Sequence, residues 1–163
     1  MDLQLKGKKA IVTGGSEGIG KAITLSLASE GVDVAICARR AGPLEAAAKE
    51  IADGTGQKIV PITADLTDTE QANSFIDNAI DALGEIDILV NNAGAATGGV
   101  LEYLSDEQWE DALQLKFLGY VRCTRAILPH FTKKGGGRVV NLIGNDGIKH
   151  SYWEIAPGAA NAA

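Results

Sequence analysis

At 163 residues the chain is sized for a single domain with a real core, and its 45% apolar and 22% charged residues exclude a disordered or fibrous protein. A net charge of −6 and a pI near 4.9 argue against a nucleic-acid partner, since such proteins concentrate Lys and Arg to displace counterions. No run approaches the roughly 18 uninterrupted apolar residues of a membrane span, and the opening MDLQLKGKK lacks the apolar stretch of a secretory signal.

Strand-like and helix-like runs alternate from the start. KKAIVTGG (8–15) is a β-branched run ending in glycines, and KAITLSLASEG (21–31) follows with apolar residues at helical spacing and Gly31 as a stop. VDVAICARR (32–40) reads as a second strand, GPLEAAAKEIADG (42–54) as a helix and QKIVPITADL (57–66) as a third strand. DTEQANSFIDNAIDALG (68–84) is helical, and EIDILVNNAG (85–94) is a fourth strand running into small residues. The segment 105–131 is one long helix, opened by a Ser-x-x-Gln capping box and expected to bend near Gly119 or to end before Pro129. GGGRVVNLIG (135–144) supplies the fifth strand. Such alternation predicts a doubly wound α/β fold, Rossmann-like, with a parallel sheet covered by helices on both faces and one domain over 1–163.

Ligands of such sheets bind beyond the carboxyl ends of the strands, where strand order reverses. TGGSEGIG (13–20) falls there, and its three glycines each have a use: Gly14 for a tight turn, Gly18 for close approach of backbone to phosphate, Gly20 for packing of helix on strand. Placed after a strand and at a helix start, this turn points to a dinucleotide.

TGGSEGIG at 13–20, ADL at 64–66 and NNAG at 91–94, in that order at three strand ends, resemble the short-chain dehydrogenase/reductase family over nearly the whole chain. The resemblance implies hydride transfer between a nicotinamide dinucleotide and a carbonyl or alcohol substrate. It implies a cofactor site made by Gly14, Ser16, Gly18, Ile19, Gly20, Asp65, Leu66, Asn91, Ala93 and Gly94, with Asp65 on the adenine; Asn91 has the alternative role of tying neighbouring strands together. The second strand ends in Ala38, Arg39 and Arg40 with no carboxylate, so an arginine fork can meet a 2′-phosphate, and NADP is favoured over NAD. Glu17 counts slightly against that choice.

The resemblance fails at the chemistry. The family's catalytic Ser, Tyr and Lys fall on Gly144, Pro157 and Asn161, and its catalytic Asn falls on Lys116. The Lys and Asn types have therefore traded places. One reading is a divergent reductase in which Lys116 helps Tyr152 ionise, with Asn161 beside it and Asn145 or Ser151 standing in for the missing Ser. The other is a nucleotide-binding relative without redox activity, regulatory or scaffolding, in which Lys116 and Asn161 form a structural polar pair.

No metal site is expected, because His130 and His150 are isolated and the two cysteines, Cys37 and Cys123, are not spaced as C-x-x-C. So few cysteines also favour a reducing cytoplasm over a disulfide framework. Family members commonly pair through their long helices, which implies a homodimer or homotetramer and gives Phe117 and Tyr120 a packing role. The chain stops in the helix after strand five. An exposed edge such as RVVNLI would invite association, so the expectation is a piece of a longer protein.

Overall fold

Five short runs rich in Val and Ile pair side by side in the computed structural model, which describes residues 3–95, 98–149 and 151–163. β1 (Lys9–Thr13), β2 (Asp33–Ala38), β3 (Ile59–Thr63), β4 (Ile88–Asn91) and β5 (Arg138–Asn141) form one parallel sheet in the order β3-β2-β1-β4-β5. The chain winds outward from β1 to β3, then returns to place β4 on the other side of β1. Order reverses between β1 and β4, as the doubly wound reading requires.

The connections are α1 (Gly18–Ser29), α2 (Ala41–Thr55), α3 (Thr69–Leu83) and the pair α4 (Asp106–Leu113) and α5 (Gly119–Lys134), with α6 (Ile155–Ala162) after β5. Strand periodicity sends alternate side chains to opposite faces. Ala10, Val12, Val34 and Ile36 meet Ile23 and Leu27 of α1 and Leu44 and Ala48 of α2 on one face. Ile11, Ala35 and Cys37 meet Phe75 and Ile76 of α3 and Cys123 and Ile127 of α5 on the other. Both edges of the sheet are weakly covered. β3 carries Pro61, tolerable at an edge because no neighbour needs its missing N–H, and every residue of β5 is exposed.

Helix starts follow the local chemistry. Asp68 accepts the N–H groups of Glu70 and Gln71 at 2.8 and 3.0 Å, and Ser105 and Gln108 close the expected capping box. The helix over 105–131 is irregular beside Gly119 and does not end before Pro129. It is interrupted by one π turn, Gln114–Leu118, just before Gly119, and it then runs straight through Pro129 to Lys134. The Arg122 guanidinium stabilises the interruption, donating to the Gln114 carbonyl at 2.9 Å and to Gln114 Oε1 at 2.7 Å. Pro129 is tolerated because it and Arg125, whose carbonyl loses its partner, both face solvent.

His130 Nε2 accepts the Ile86 N–H at 2.9 Å, while His150 lies outside the described residues. Among the described residues no helix is long and apolar enough to cross a membrane.

Asp87, at the base of β4, ties three elements together. It accepts the Lys9 N–H at 3.0 Å, pairs with Lys134 of α5, and lies 3.4 Å from Lys8. Burial alone would raise this carboxyl, but the Lys134 hydrogen bond, the Lys9 N–H and the lysine charges outweigh it and hold it below the ordinary Asp value. A lowered folded value stabilises the fold above the unfolded pKa and ceases to do so as pH falls through the folded one. Asp87→Asn is expected to cost about 1.5–3 kcal/mol near neutrality, with parent and variant converging in acid. Urea midpoints measured between neutrality and strongly acidic pH check this, and a difference independent of pH would contradict it.

Candidate cofactor and active site

The carboxyl ends of β1 and β4 are locked together before any ligand arrives. Thr13, fully buried, accepts the N–H groups of both Asn92 and Ala93 on its Oγ1 at 2.9 Å. In return Asn92 Nδ2 donates to the carbonyls of Thr13 and Gly14, at 2.9 and 3.3 Å. Neither Thr13 nor Asn92 stood out in the sequence, although both belong to the motifs that did.

This clasp explains the glycine spacing. Gly14 turns with φ +71°, and a Cβ there would stand 3.0 Å from both Ala93 Cα and Asn92 Nδ2. A Cβ on Gly20 would stand 2.1 Å from the Gly14 carbonyl oxygen, so α1 approaches the strand only because residue 20 has no side chain. Gly18 has φ +54° and nothing within 4 Å of a would-be Cβ. The first turn of α1 therefore opens on empty space with its N–H groups outward, the arrangement that receives a phosphate. Glu17, the residue before α1, does not cap it; its carboxylate instead meets Arg40 at 2.8 Å across the mouth of the cleft.

Two clefts flank the clasp. The first, about 530 Å³, runs from Gly14 and Ser16 past Arg39 and Arg40 to Asp65, Leu66 and Gly94. Asp65 Oδ1 accepts the Thr67 N–H at 3.0 Å and the Thr67 hydroxyl at 2.8 Å, which fixes the carboxylate on the cleft wall. Arg39 has no hydrogen bond or ion pair among the described residues, whereas Arg40 is paired with Glu17. Cys37 also lines this cleft, and its burial pushes the thiol pKa up, which disfavours the thiolate.

The second cleft, about 550 Å³, is lined by Gly18, Ile19, Gly20, Ala93 and Gly94 on one side and by Lys116, Ile143 and Gly144 on the other. Lys116 sits in the middle of the π turn and crosses Gly94 so closely that a Cβ there would be 2.8 Å from Lys116 Cδ. Burial lowers its pKa, opposed by the charge of Asp146.

Asn91 does tie strands: its Nδ2 donates to Asn141 Oδ1 of β5 at 2.9 Å and to Thr124 Oγ1 of α5 at 3.1 Å.

The other catalytic candidates are spread out. Asn161 and Lys116 are not bonded to each other: Asn161 Oδ1 accepts the Gly144 N–H at 2.7 Å, and its Nδ2 donates to the Asp146 carboxylate and to the Pro157 carbonyl. Asn145 is exposed in the short turn Asn145–Gly147, where its carbonyl accepts the Ile148 and Lys149 N–H groups. Ser151 Oγ accepts the Trp153 N–H at 3.4 Å. Tyr152 is 66% exposed, packed edge-on against Trp153 at 5.1 Å, and does not line the Lys116 cleft.

One relevant group escaped the sequence reading, and a second was expected only to pack. Asp146 is the acid that Asn161 positions, and its place just after β5 was the available signal. Tyr120 is a second phenol near the strand ends, but it donates to the Leu142 carbonyl at 2.9 Å and burial pushes it up to about 12.

The glycine geometry yields a contrast. Gly18→Ala should cost only about 1–2 kcal/mol, the strain of a left-handed backbone, with native packing kept. Gly20→Ala must displace the Gly14 turn or the Asn92 amide and should cost more. Denaturant midpoints of both variants decide it; equal losses would contradict the packing described.

Comparison with known proteins agrees with this geometry. The family model described as short chain dehydrogenase matches residues 8–163. The chain is 32% identical over 161 residues to a 3-oxoacyl-(acyl-carrier-protein) reductase, FabG, of Thermotoga maritima, covering 99% of this chain and 63% of that protein. It superposes on L-sorbose reductase of Gluconobacter frateurii, complexed with NADPH and L-sorbose, with a TM-score of 0.95 at 28% identity, over 99% of this chain and 62% of that one. An NAD+-bound xylitol dehydrogenase gives a TM-score of 0.94 at 26% identity, over 98% of this chain and 62% of that one. The chain thus spans less than two thirds of the length of these relatives. With a model match over nearly all its residues and the same sheet, turn and strand-end motifs, the chain belongs to the short-chain dehydrogenase/reductase family.

Proposed function

We infer that the protein is an NADP(H)-dependent oxidoreductase, a single dinucleotide-binding domain acting on a small carbonyl or alcohol substrate. The observation that carries this reading is Arg39 at the end of β2, which lines the first cleft without an ion pair among the described residues and with no carboxylate on that strand end. The superposed relatives hold NADPH in one case and NAD+ in the other, so the choice rests on this chain's own residues.

The residues fit the dinucleotide from end to end. The open first turn of α1, with Ser16, Gly18 and Ile19, receives the pyrophosphate; Asp65 and Leu66 flank the adenine; Ala93 and Gly94 form the floor leading to the second cleft. When bound, the cofactor supplies or accepts the hydride. This chain's part is to orient it, to hold Lys116 over Gly94, and to fix the loop after β5 through Asn161, with Asn145 at the head of that loop. The reading extends to a cytoplasmic homodimer or homotetramer, supported by two buried free thiols and by the exposed valines of β5.

Titration of both cofactors by fluorescence tests the assignment. NADPH is expected to bind more tightly than NADH. Arg39→Ala should remove about 1.5–3 kcal/mol from NADPH binding and leave NADH unchanged, with a smaller effect for Arg40→Ala because Glu17 already engages that side chain. Equal affinities in the parent protein would overturn the NADP preference.

Asp65→Ala is expected to weaken NADPH and NADH by the same factor, because the adenine is common to both. A selective loss of one would remove Asp65 from the adenine site. If NADPH binds and no compound in a broad carbonyl and alcohol panel turns over, the oxidoreductase reading gives way to a nucleotide-binding role.

A further inference from the structure

The second cleft needs an acid. Reducing a carbonyl requires a proton for the oxygen as well as a hydride for the carbon, and the position where the family keeps its phenol is Pro157, whose carbonyl is occupied by Asn161. Only two ionisable side chains line this cleft among the described residues, Glu17 and Lys116. Glu17 is turned to the cleft mouth by its ion pair with Arg40. Lys116 has no hydrogen bond or ion pair among the described residues, and it crosses Gly94, opposite Gly144.

Its surroundings suit a proton donor. A lysine in water holds its proton too firmly to give it up near neutrality, and loss of hydration weakens that hold. Lys116 is partly stripped of water, and the opposing pull comes from Asp146, whose carboxylate Asn161 Nδ2 grips at 3.2 and 3.1 Å. The other charged neighbours are accounted for. On α5, Arg122 is committed to Gln114; on α4, Asp111 faces a separate depression beside Arg39; α6 carries no charged side chain. The π turn itself is a further sign, since such single turns often aim a side chain at a functional site.

We propose that Lys116 is the acid–base residue of this site, its ammonium donating the proton to the carbonyl oxygen of a substrate seated between Gly94 and Gly144. The proposal rests on the oxidoreductase reading. The carbonyl carbon gains a hydride from reduced nicotinamide as co-reactant, the C=O π pair forms the new O–H bond as an Nζ–H bond breaks, and the neutral amine regains a proton from water through the open cleft. In the alcohol-oxidising direction the neutral amine accepts the hydroxyl proton. Asp146 is a positioning residue that keeps the amine charged until substrate arrives.

Competitive labelling of the 163-residue protein with trace acetic anhydride, read lysine by lysine by mass spectrometry across pH, tests this without turnover. Lys116 is expected to become reactive at lower pH than the exposed Lys49, to shift lower still in Asp146→Asn, and to be shielded by NADPH. In parallel, Lys116→Arg keeps the charge but not a releasable proton. It should bind NADPH within about threefold of the parent yet lose about 100-fold or more in kcat, the contribution typical of a general acid. Lys116 labelling in step with Lys49, or full kcat in Lys116→Arg, overturns the proposal and leaves the oxidoreductase reading standing. A collapse of turnover in Tyr152→Phe with Lys116→Arg still active returns the role to the phenol. Failure of the parent to bind NADPH overturns the underlying reading, and the proposal with it.

Discussion

The clasp between Thr13 and the Asn92–Ala93 backbone is the constraint on which the site depends. One buried hydroxyl satisfies two backbone N–H groups, and one amide satisfies two carbonyls, at the place where the sheet changes direction. Without it the ends of β1 and β4 would splay, as two parallel strands leave unpaired backbone groups where their ladder stops. With it, the glycine turn is pressed against β4 so closely that Gly14 and Gly20 admit no side chain. The two clefts then lie on either side of the ridge that this clasp forms.

The loop after β5 is organised by an equally specific arrangement, centred on the Asn161 side chain. A Cβ on Gly144 would stand 2.1 Å from Asp146 Oδ1 and 2.7 Å from Asn161 Nδ2, so a serine has no room once Asn161 is in place. Asn161 in turn needs an acceptor below it, which the Pro157 carbonyl provides at 2.9 Å, and room above it, which Gly147 provides. Gly144, Pro157 and Asn161 are thus mutually fitted, each depending on the place of the Asn161 side chain. The bonded Asn161 amide is the structural centre of this loop, and among the described residues Lys116 has no hydrogen bond or ion pair.

Much of this fold was legible because its information is local. Hydrophobic runs bounded by glycines gave the five strands, and Ser105 with Gln108 marked a helix start, since caps and periodicity act over a few residues. Pro129 misled because the cost of a proline depends on whether the orphaned carbonyl reaches water, which is a matter of tertiary placement. The π turn at Gln114–Leu118 was invisible for the same reason: it is stabilised by Arg122, eight residues along from Gln114. The motif glycines could be read one by one, whereas Thr13, Asn92 and Asp146 act through contacts with chain-distant partners or folded loops. Tyr152 was close in sequence to the expected phenol, but sequence proximity does not say which way a loop faces, and its ring packs on Trp153 outside the cleft.

Charge completes the arrangement. A protein with a net charge of −6 repels an anionic dinucleotide at long range, so recognition must come from local cations. Arg40 is paired with Glu17, which leaves Arg39 in the first cleft and Lys116 in the second as the cations without an ion pair among the described residues. Glu17, which lines both clefts, offsets the charge of Arg40 and holds its own carboxylate at the cleft mouth.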